Sequence, residues 1–263
     1  MNKLIGEDLF LPEIVDKILT LCFQLIIKAL QFAKDTINSK SMSAENLLRI
    51  LDEITKVEQF LNHDFLDNLI QICNKTCYLQ GDKIIEQVSG SYRDLFEVLS
   101  TRFDDLNLPC ISAASEKITK RLSENMEKFK LIAGVYRLTN KSMPETPSDH
   151  TKITFKPVEN LVSKEFYVNL CPKLKTLLLN SIFQKSLSDL NIIIKKMLEE
   201  EKNKSTSLSK FSKEGAKNTD FDHICMQIYL DIKELENQID EFGGSREYSE
   251  LKSLYELIPG ATC

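Results

Sequence analysis

Only 8 Gly and 7 Pro are available to break 263 residues, and that scarcity constrains the fold more than any other feature of the chain. A sheet protein of this size needs many tight turns, and such turns draw on Gly and Pro. Long runs of Leu, Ile, Glu, Lys and Gln fill the space between the few breakers, and these residues favour helix. The fold class expected is therefore all-α. The chain is also long enough to bury a substantial core.

Apolar spacing places the helices. From about Pro12 to Ile37, Ile14, Ile18, Leu21, Leu25 and Ala29 recur at helical intervals, with Val15, Cys22, Ile26 and Phe32 beside them. That pattern predicts one wide apolar face on a helix of roughly 39 Å, and Pro12 suits its first turn. Ser43 reads as the N-cap of a second helix carrying Leu47, Leu51, Ile54, Val57 and Leu61. A third segment around Phe65 to Cys73 follows almost without a break. Gly81-Asp82 marks a turn, the helical pattern resumes over Ile84–Phe103, and Leu108-Pro109 is expected to break it again.

A long helix is expected over Ile111–Leu138, with Ile118, Leu122, Met126, Phe129 and Ile132 inward. The segment Thr139–Ser148 holds Pro144 and Pro147 and cannot continue it. A short helix over about 148–161 and a long one over about 164–201 come next. Residues 199–220 are rich in Lys, Ser, Glu and Asn, with Leu208 and Phe211 as their large apolar residues, which predicts a linker. The last long helix, about Phe221–Phe242, stops at Gly243-Gly244, which supply a left-handed cap, and a short helix over 247–257 closes the series.

The formal charge is -5, from 34 basic and 39 acidic residues, whereas phosphate recognition needs a basic surplus on one face. Nucleic acid is thus not an expected partner. The three histidines, His63, His150 and His223, sit in no recognisable motif, and no glycine-rich phosphate loop or paired-histidine metal motif occurs. Cys73 and Cys77 are four apart, a spacing that would suit half a metal site, but no second pair stands at zinc-ligand distance. They are read as packing residues. The seven cysteines are irregularly placed with no secretory signal ahead of them, which predicts reduced thiols in the cytosol. No catalytic site, cofactor or metal is expected, and the chain reads as no enzyme.

One segment carries a resemblance. Tyr136-Arg137-Leu138-Thr139-Asn140-Lys141-Ser142-Met143-Pro144, continuing through Thr146-Pro147-Ser148 and a later Lys156-Pro157 step, resembles the signature of the C-terminal part of subunit 2 of the conserved oligomeric Golgi complex, a multisubunit vesicle-tethering family. Phe10-Leu11-Pro12-Glu13 with Asp16-Lys17 resembles that family's upstream helix. Leu230-Asp231-Ile232, Leu235, Gln238-Ile239 and Gly243 resemble its terminal helix. Leu138 departs from the pattern, which usually has a second Arg there.

The resemblance implies a non-enzymatic, peripheral protein of the cytoplasmic face of Golgi membranes with a cytosolic pool. It would act in intra-Golgi retrograde transport and Golgi organisation through protein–protein contacts, its membrane association indirect. The expected partners are the other subunits of the complex, then SNAREs, Rab GTPases and coiled-coil tethers. The chain reads as a C-terminal piece of a longer subunit whose coiled-coil region precedes it.

The expected architecture is an elongated bundle of stacked, mostly antiparallel helices. It divides into a helical rod segment (1–84), a C-terminal helical bundle (85–200), a flexible linker (201–220) and terminal helices packing on the bundle (221–263). Tyr136, Arg137, Thr139, Asn140, Lys141, Pro144 and Pro147 form the candidate partner-contact loop. The same residues also read as a plain helix end, with Asn140 capping and Tyr136 packed. Two rival readings stand beside the tether: another tether or coat-associated helical rod of the exocyst kind, and a helical bundle that binds a lipid or small molecule in an apolar pocket.

Overall fold

The computed structural model describes residues 12–39, 42–76, 81–137, 141–209 and 219–259, and among them there is helix and no strand. The chain is an all-α helical bundle, as the shortage of breakers predicts. It forms two compact units, Met1–Ile111 and Ser112–Cys263.

The first unit is built from α1 (Pro12–Ser39), α2 (Ala44–Gln59), α3 (Leu66–Thr76) and the first part of α4 (Gly81–Met126). The Ser43 side chain accepts a hydrogen bond from the Asn46 N–H at 3.2 Å, so the expected N-cap of α2 is in place. Leu47, Leu51, Ile54 and Leu61 are buried as their spacing requires, while Val57 is exposed. Between α2 and α3 the backbone widens into one π-helical turn, Phe60–Phe65. A wide turn tilts carbonyls away from the regular ladder, and here the Tyr92 hydroxyl donates to the Leu61 carbonyl. Around this bond Tyr92 stacks on Phe65 at 5.6 Å and on Phe96 at 6.1 Å, and meets the edge of Phe23 at 5.4 Å. Burial pushes the Tyr92 hydroxyl up to about 12.

Two expectations are corrected in this unit. The apolar series chosen for α1 does not supply its packed face: Leu21, Leu25 and Phe32 are exposed, and Leu19, Phe23, Leu30 and Ile37 are buried instead. The helix carries two apolar stripes, and its neighbours take the second. Pro109 does not break the chain either, because α4 passes through it. Proline removes the hydrogen bond that the Asp105 carbonyl would accept, and Asp105 is an exposed residue, where the loss costs less than in the core.

The second unit contains the later part of α4, a 3₁₀ turn at Glu127–Lys130, and α5 (Leu131–Tyr136). A second 3₁₀ turn, Thr151–Ile153, precedes α6 (Lys156–Val162) and α7 (Glu165–Asn169). Then come α8 (Pro172–Ser209), α9 (Thr219–Glu241) and α10 (Ser249–Glu256). Ile118, Leu122, Met126, Phe129 and Ile132 are all buried, as expected. The helix expected to run unbroken from about Lys164 is in fact two, because Pro172 starts α8 afresh after Leu170. Pro157 stands in the first turn of α6, where its missing N–H leaves nothing unpaired.

The core of this unit is Phe155 edge-on to Phe183 at 5.3 Å, with Leu178, Ile182, Leu187 and Leu190 of α8 against Ile228, Ile232, Leu235 and Ile239 of α9. Gly243 has φ 81, and the N–H groups of Gly243 and Gly244 donate to the carbonyls of Asp240 (2.9 Å) and Ile239 (2.8 Å). These are the two bonds of a Schellman cap. α8 is helical through Ser209. Residues 210–218, the heart of the expected linker, lie outside the described residues.

Candidate functional site

Beyond α5 the chain leaves helical geometry and follows α9 as an extended loop. Helical backbone saturates its own hydrogen bonds, but an extended strap leaves each N–H and C=O in need of a partner. Three polar side chains on the buried face of α9 provide them. Gln227 Nε2 donates to the Thr146 carbonyl at 3.0 Å, Asp231 Oδ1 accepts from the Ser148 N–H at 2.6 Å, and Gln238 Nε2 donates to the Thr151 carbonyl at 3.2 Å. Positions 227, 231 and 238 share one side of a 3.6-residue helix, so the strap is pinned along about half of α9.

The signature residues enter this arrangement at both ends. Tyr136 is buried, and its hydroxyl donates to Gln227 Oε1 at 2.8 Å. Burial and, second, the nearby Asp231 charge push the Tyr136 hydroxyl up. His223 lies edge-on to the Tyr136 ring at 5.8 Å. Arg137 reaches back to α8, where its guanidinium holds Glu201 through two nitrogens, and Lys204 Nζ adds a contact to Glu201 Oε1 at 2.9 Å. Burial alone would raise the Glu201 carboxyl, but the bonds from Arg137 and Lys204 outweigh it and hold it below its ordinary value. Pro144 is buried and Pro147 half-buried, while Lys141, Ser142, Met143 and Glu145 face solvent. Thr139 and Asn140, including the expected Asn140 cap, lie outside the described residues.

Asp231 is the electrostatic centre. It is 0% exposed. Oδ1 takes both of its hydrogen bonds, from Ser148 N and from Gln227 Nε2 at 3.0 Å. Oδ2 faces His150 Nε2 at 3.9 Å, and neither atom has a hydrogen-bond partner among the described residues. Burial pushes the Asp231 carboxyl above its ordinary value despite the bonds from Ser148 and Gln227. The same burial lowers His150, whose ring packs edge-on to Phe129 at 4.8 Å.

A network of this kind fixes a loop in one conformation. Apart from Asp231 Oδ2 and His150 Nε2, its donors and acceptors are spent on backbone and on one another. Among the described residues no group of three His, Cys, Asp or Glu side chains gathers to hold a metal. The Cys77 side chain and that of Cys73 lie outside the description, and His63 is exposed in the π turn.

Gln227 is absent from the sequence reading and Gln238 enters it only through the terminal-helix resemblance, although their signal is legible: polar residues at helical spacing inside the buried repeat Ile224, Ile228, Ile232, Leu235 and Ile239. The loop groups they bind lie 81 to 91 residues away in the chain, and spacing does not reveal that.

Comparison with known proteins adds three findings. The family model described as COG complex component, COG2, C-terminal, matches residues 1–232, a span that ends inside α9 and includes Gln227 and Asp231. Conserved oligomeric Golgi complex subunit 2 of Dictyostelium discoideum is 23% identical over 225 residues, which is 79% of this chain and 24% of that protein. The chain thus spans about a quarter of the length of that relative. No solved structure matches the chain.

Proposed function

This chain belongs to the COG2 C-terminal family, and on that premise we propose that it is a non-enzymatic subunit piece of the Golgi vesicle-tethering complex. It acts in intra-Golgi retrograde transport and Golgi organisation by holding partners rather than by making or breaking bonds. The observation that carries this reading is the family match over residues 1–232, which takes in helices of both compact units. The all-α frame suits the role, because long helices pack into stiff units with surfaces of fixed geometry.

Among the described residues no helix is long and apolar enough to cross a membrane. Attachment to the cytoplasmic face of the Golgi therefore runs through partner proteins: sister subunits first, then SNAREs, Rab GTPases and coiled-coil tethers.

The strap beside α9 is proposed as a partner-contact loop. Its ends are fixed at Tyr136, Arg137 and Ser148, and its exposed tip offers Lys141, Ser142, Met143 and Glu145. A loop already ordered loses little entropy on binding.

Affinity capture of the tagged chain from cells, with mass spectrometry of what accompanies it, tests the reading. Recovery of the sister subunits of the Golgi tether is expected. Recovery of exocyst or coat components in their place would assign the chain to another helical rod. Lys141→Glu combined with Met143→Asp then tests the loop: reduced recovery of one partner is expected, and unchanged recovery of all of them refutes a contact role.

A further inference from the structure

Thr146-Pro147 is the single step in the chain at which a Ser or Thr stands directly before a proline. It falls within residues 141–150, the longest non-helical stretch among the described residues, and the backbone bends at Thr146. Thr146 is exposed and Pro147 half-buried.

Hydroxyls elsewhere are less available. Those of Thr20, Thr36, Thr55, Thr119 and Ser123 donate to carbonyls of their own helices, and a chain wound into helix does not fit a cleft that takes extended substrate. Ser142 shares the strap and is exposed, but Met143 follows it. A proline after the acceptor has no N–H to satisfy and keeps the residue before it out of helical geometry. An enzyme pocket shaped for that ring therefore selects Thr146 over Ser142.

The surroundings of Thr146 decide what a phosphate there does. The Thr146 carbonyl accepts from Gln227 Nε2 at 3.0 Å, and the same nitrogen donates to Asp231 Oδ1 at 3.0 Å, so a buried carboxyl stands one group away. Glu145 precedes Thr146 and Asp149 lies three residues on, both exposed, and Lys152 is paired to Asp149 at 3.3 Å. A phosphothreonine carries about -1.5 to -2 charges at neutral pH. Beside these acids it adds like charge within the screening distance of about 8 Å.

We propose that Thr146 is a phosphorylation site for a proline-directed Ser/Thr kinase, and that its phosphate frees the strap from α9. In the transfer, the Thr146 hydroxyl oxygen bonds to the γ-phosphorus of ATP, the bond from that phosphorus to the bridging oxygen breaks, and ADP leaves. The hydroxyl proton passes to the base of the kinase. The assignment stands on the geometry of the strap and does not depend on which partner its tip touches.

Access and effect are coupled. Pro144 is buried, and the Ser148 N–H is held by Asp231 Oδ1 at 2.6 Å. The strap must lift from α9 before a kinase takes the residues on both sides of Thr146. Lifting exposes the acceptor, and a phosphate on the acceptor favours lifting through repulsion.

The first measurement isolates the tagged full chain from cells in phosphatase inhibitor and maps residues 141–152 by mass spectrometry. A phosphothreonine at 146 is expected in the wild type and not in Pro147→Ala. An unmodified Thr146, or a phosphate on Ser142 in its place, overturns the site; a phosphate that persists in Pro147→Ala overturns the class of kinase.

The second measurement phosphorylates the purified chain with a cyclin-dependent kinase and follows hydrogen exchange at the Ser148 amide. Exchange should rise about tenfold or more on phosphorylation, with the helical signal unchanged. The rate of phosphorylation should rise by a similar factor in Asp231→Ala, which frees the Ser148 amide, and stay near wild type in Asp231→Asn, which keeps an acceptor for it. Unchanged exchange at Ser148, or equal rates in all three chains, overturns the release of the strap.

Discussion

Asp231 offers the sharpest test of how the strap is held, because two substitutions at this one position should act with opposite sign. In Asp231→Ala the Ser148 N–H loses its acceptor in a site with no exposure, and Gln227 Nε2 keeps only the Thr146 carbonyl. Removing one partner of a buried, charge-assisted hydrogen bond costs about 1.5–3 kcal/mol, and the cavity adds to it. A total of about 2–4 kcal/mol lowers the melting temperature by roughly 4–16 °C, at 2–4 °C per kcal/mol for a domain of 150–250 residues.

Asp231→Asn keeps the volume and an oxygen for Ser148 and Gln227, and removes the buried charge. Burial raises the native carboxyl above its unfolded value. A raised group favours folding fully below the unfolded pKa, and that contribution is lost as pH rises through the folded value. At pH 7 the ionised Asp231 is therefore a cost, and Asp231→Asn should melt no lower than wild type. Its advantage should shrink as pH falls from the raised value toward the ordinary carboxylate value.

Thermal melts at pH 7 and at lower pH, with hydrogen exchange at the Ser148 amide, decide the matter. Protection of that amide is lost in Asp231→Ala and kept in Asp231→Asn. If Asp231→Asn destabilises as much as Asp231→Ala at pH 7, the negative charge itself holds the strap, through a protonated His150, and the reasoning fails.

Other positions give simpler tests. In Gly244→Ala the new Cβ would stand 2.5 Å from Ile239 Cγ2 and 2.9 Å from Phe183 Cε2; the overpacking should cost about 1–3 kcal/mol in thermal unfolding, and a neutral result would mean that the cap is not tight. Arg137→Ala removes both contacts to Glu201 while Lys204 remains; because Arg137 is half-exposed, the loss should be about 1 kcal/mol or less and should shrink in high salt. Tyr92→Phe leaves the buried Leu61 carbonyl without its donor and should cost about 1–3 kcal/mol. In the wild type, absorbance titration should show a tyrosine that ionises only near pH 12, and that transition should disappear in Tyr92→Phe.

The devices legible in the sequence are those whose physics closes within a few residues. Ser43 caps α2 through an amide three positions on, and Gly243 and Gly244 end α9 through carbonyls three and five positions back. The inward residues from Ile118 to Ile132 were legible because that stretch has one apolar stripe, so period and burial agree. In α1 the same argument chose the wrong face. A helix with two apolar stripes has the right period on both, and the choice between them belongs to the neighbouring helices. Pro109 misleads for a related reason: what a lost hydrogen bond costs inside a helix depends on its surroundings, and α4 carries Pro109 where Asp105, four residues back, is exposed.

The strap lies furthest from sequence reading. Tyr136, Arg137, Thr139, Asn140, Lys141, Pro144 and Pro147 stand together in the sequence as candidate contact residues; of these the structure buries Tyr136 and Pro144, sets Arg137 against Glu201 of α8 and leaves Lys141 in solvent. The side chains of Tyr136 and Arg137 tie the start of the loop to α9 and α8. In α1, an apolar series regular enough to be mistaken for core, yet left in water, satisfies every requirement of a packed face except a neighbour.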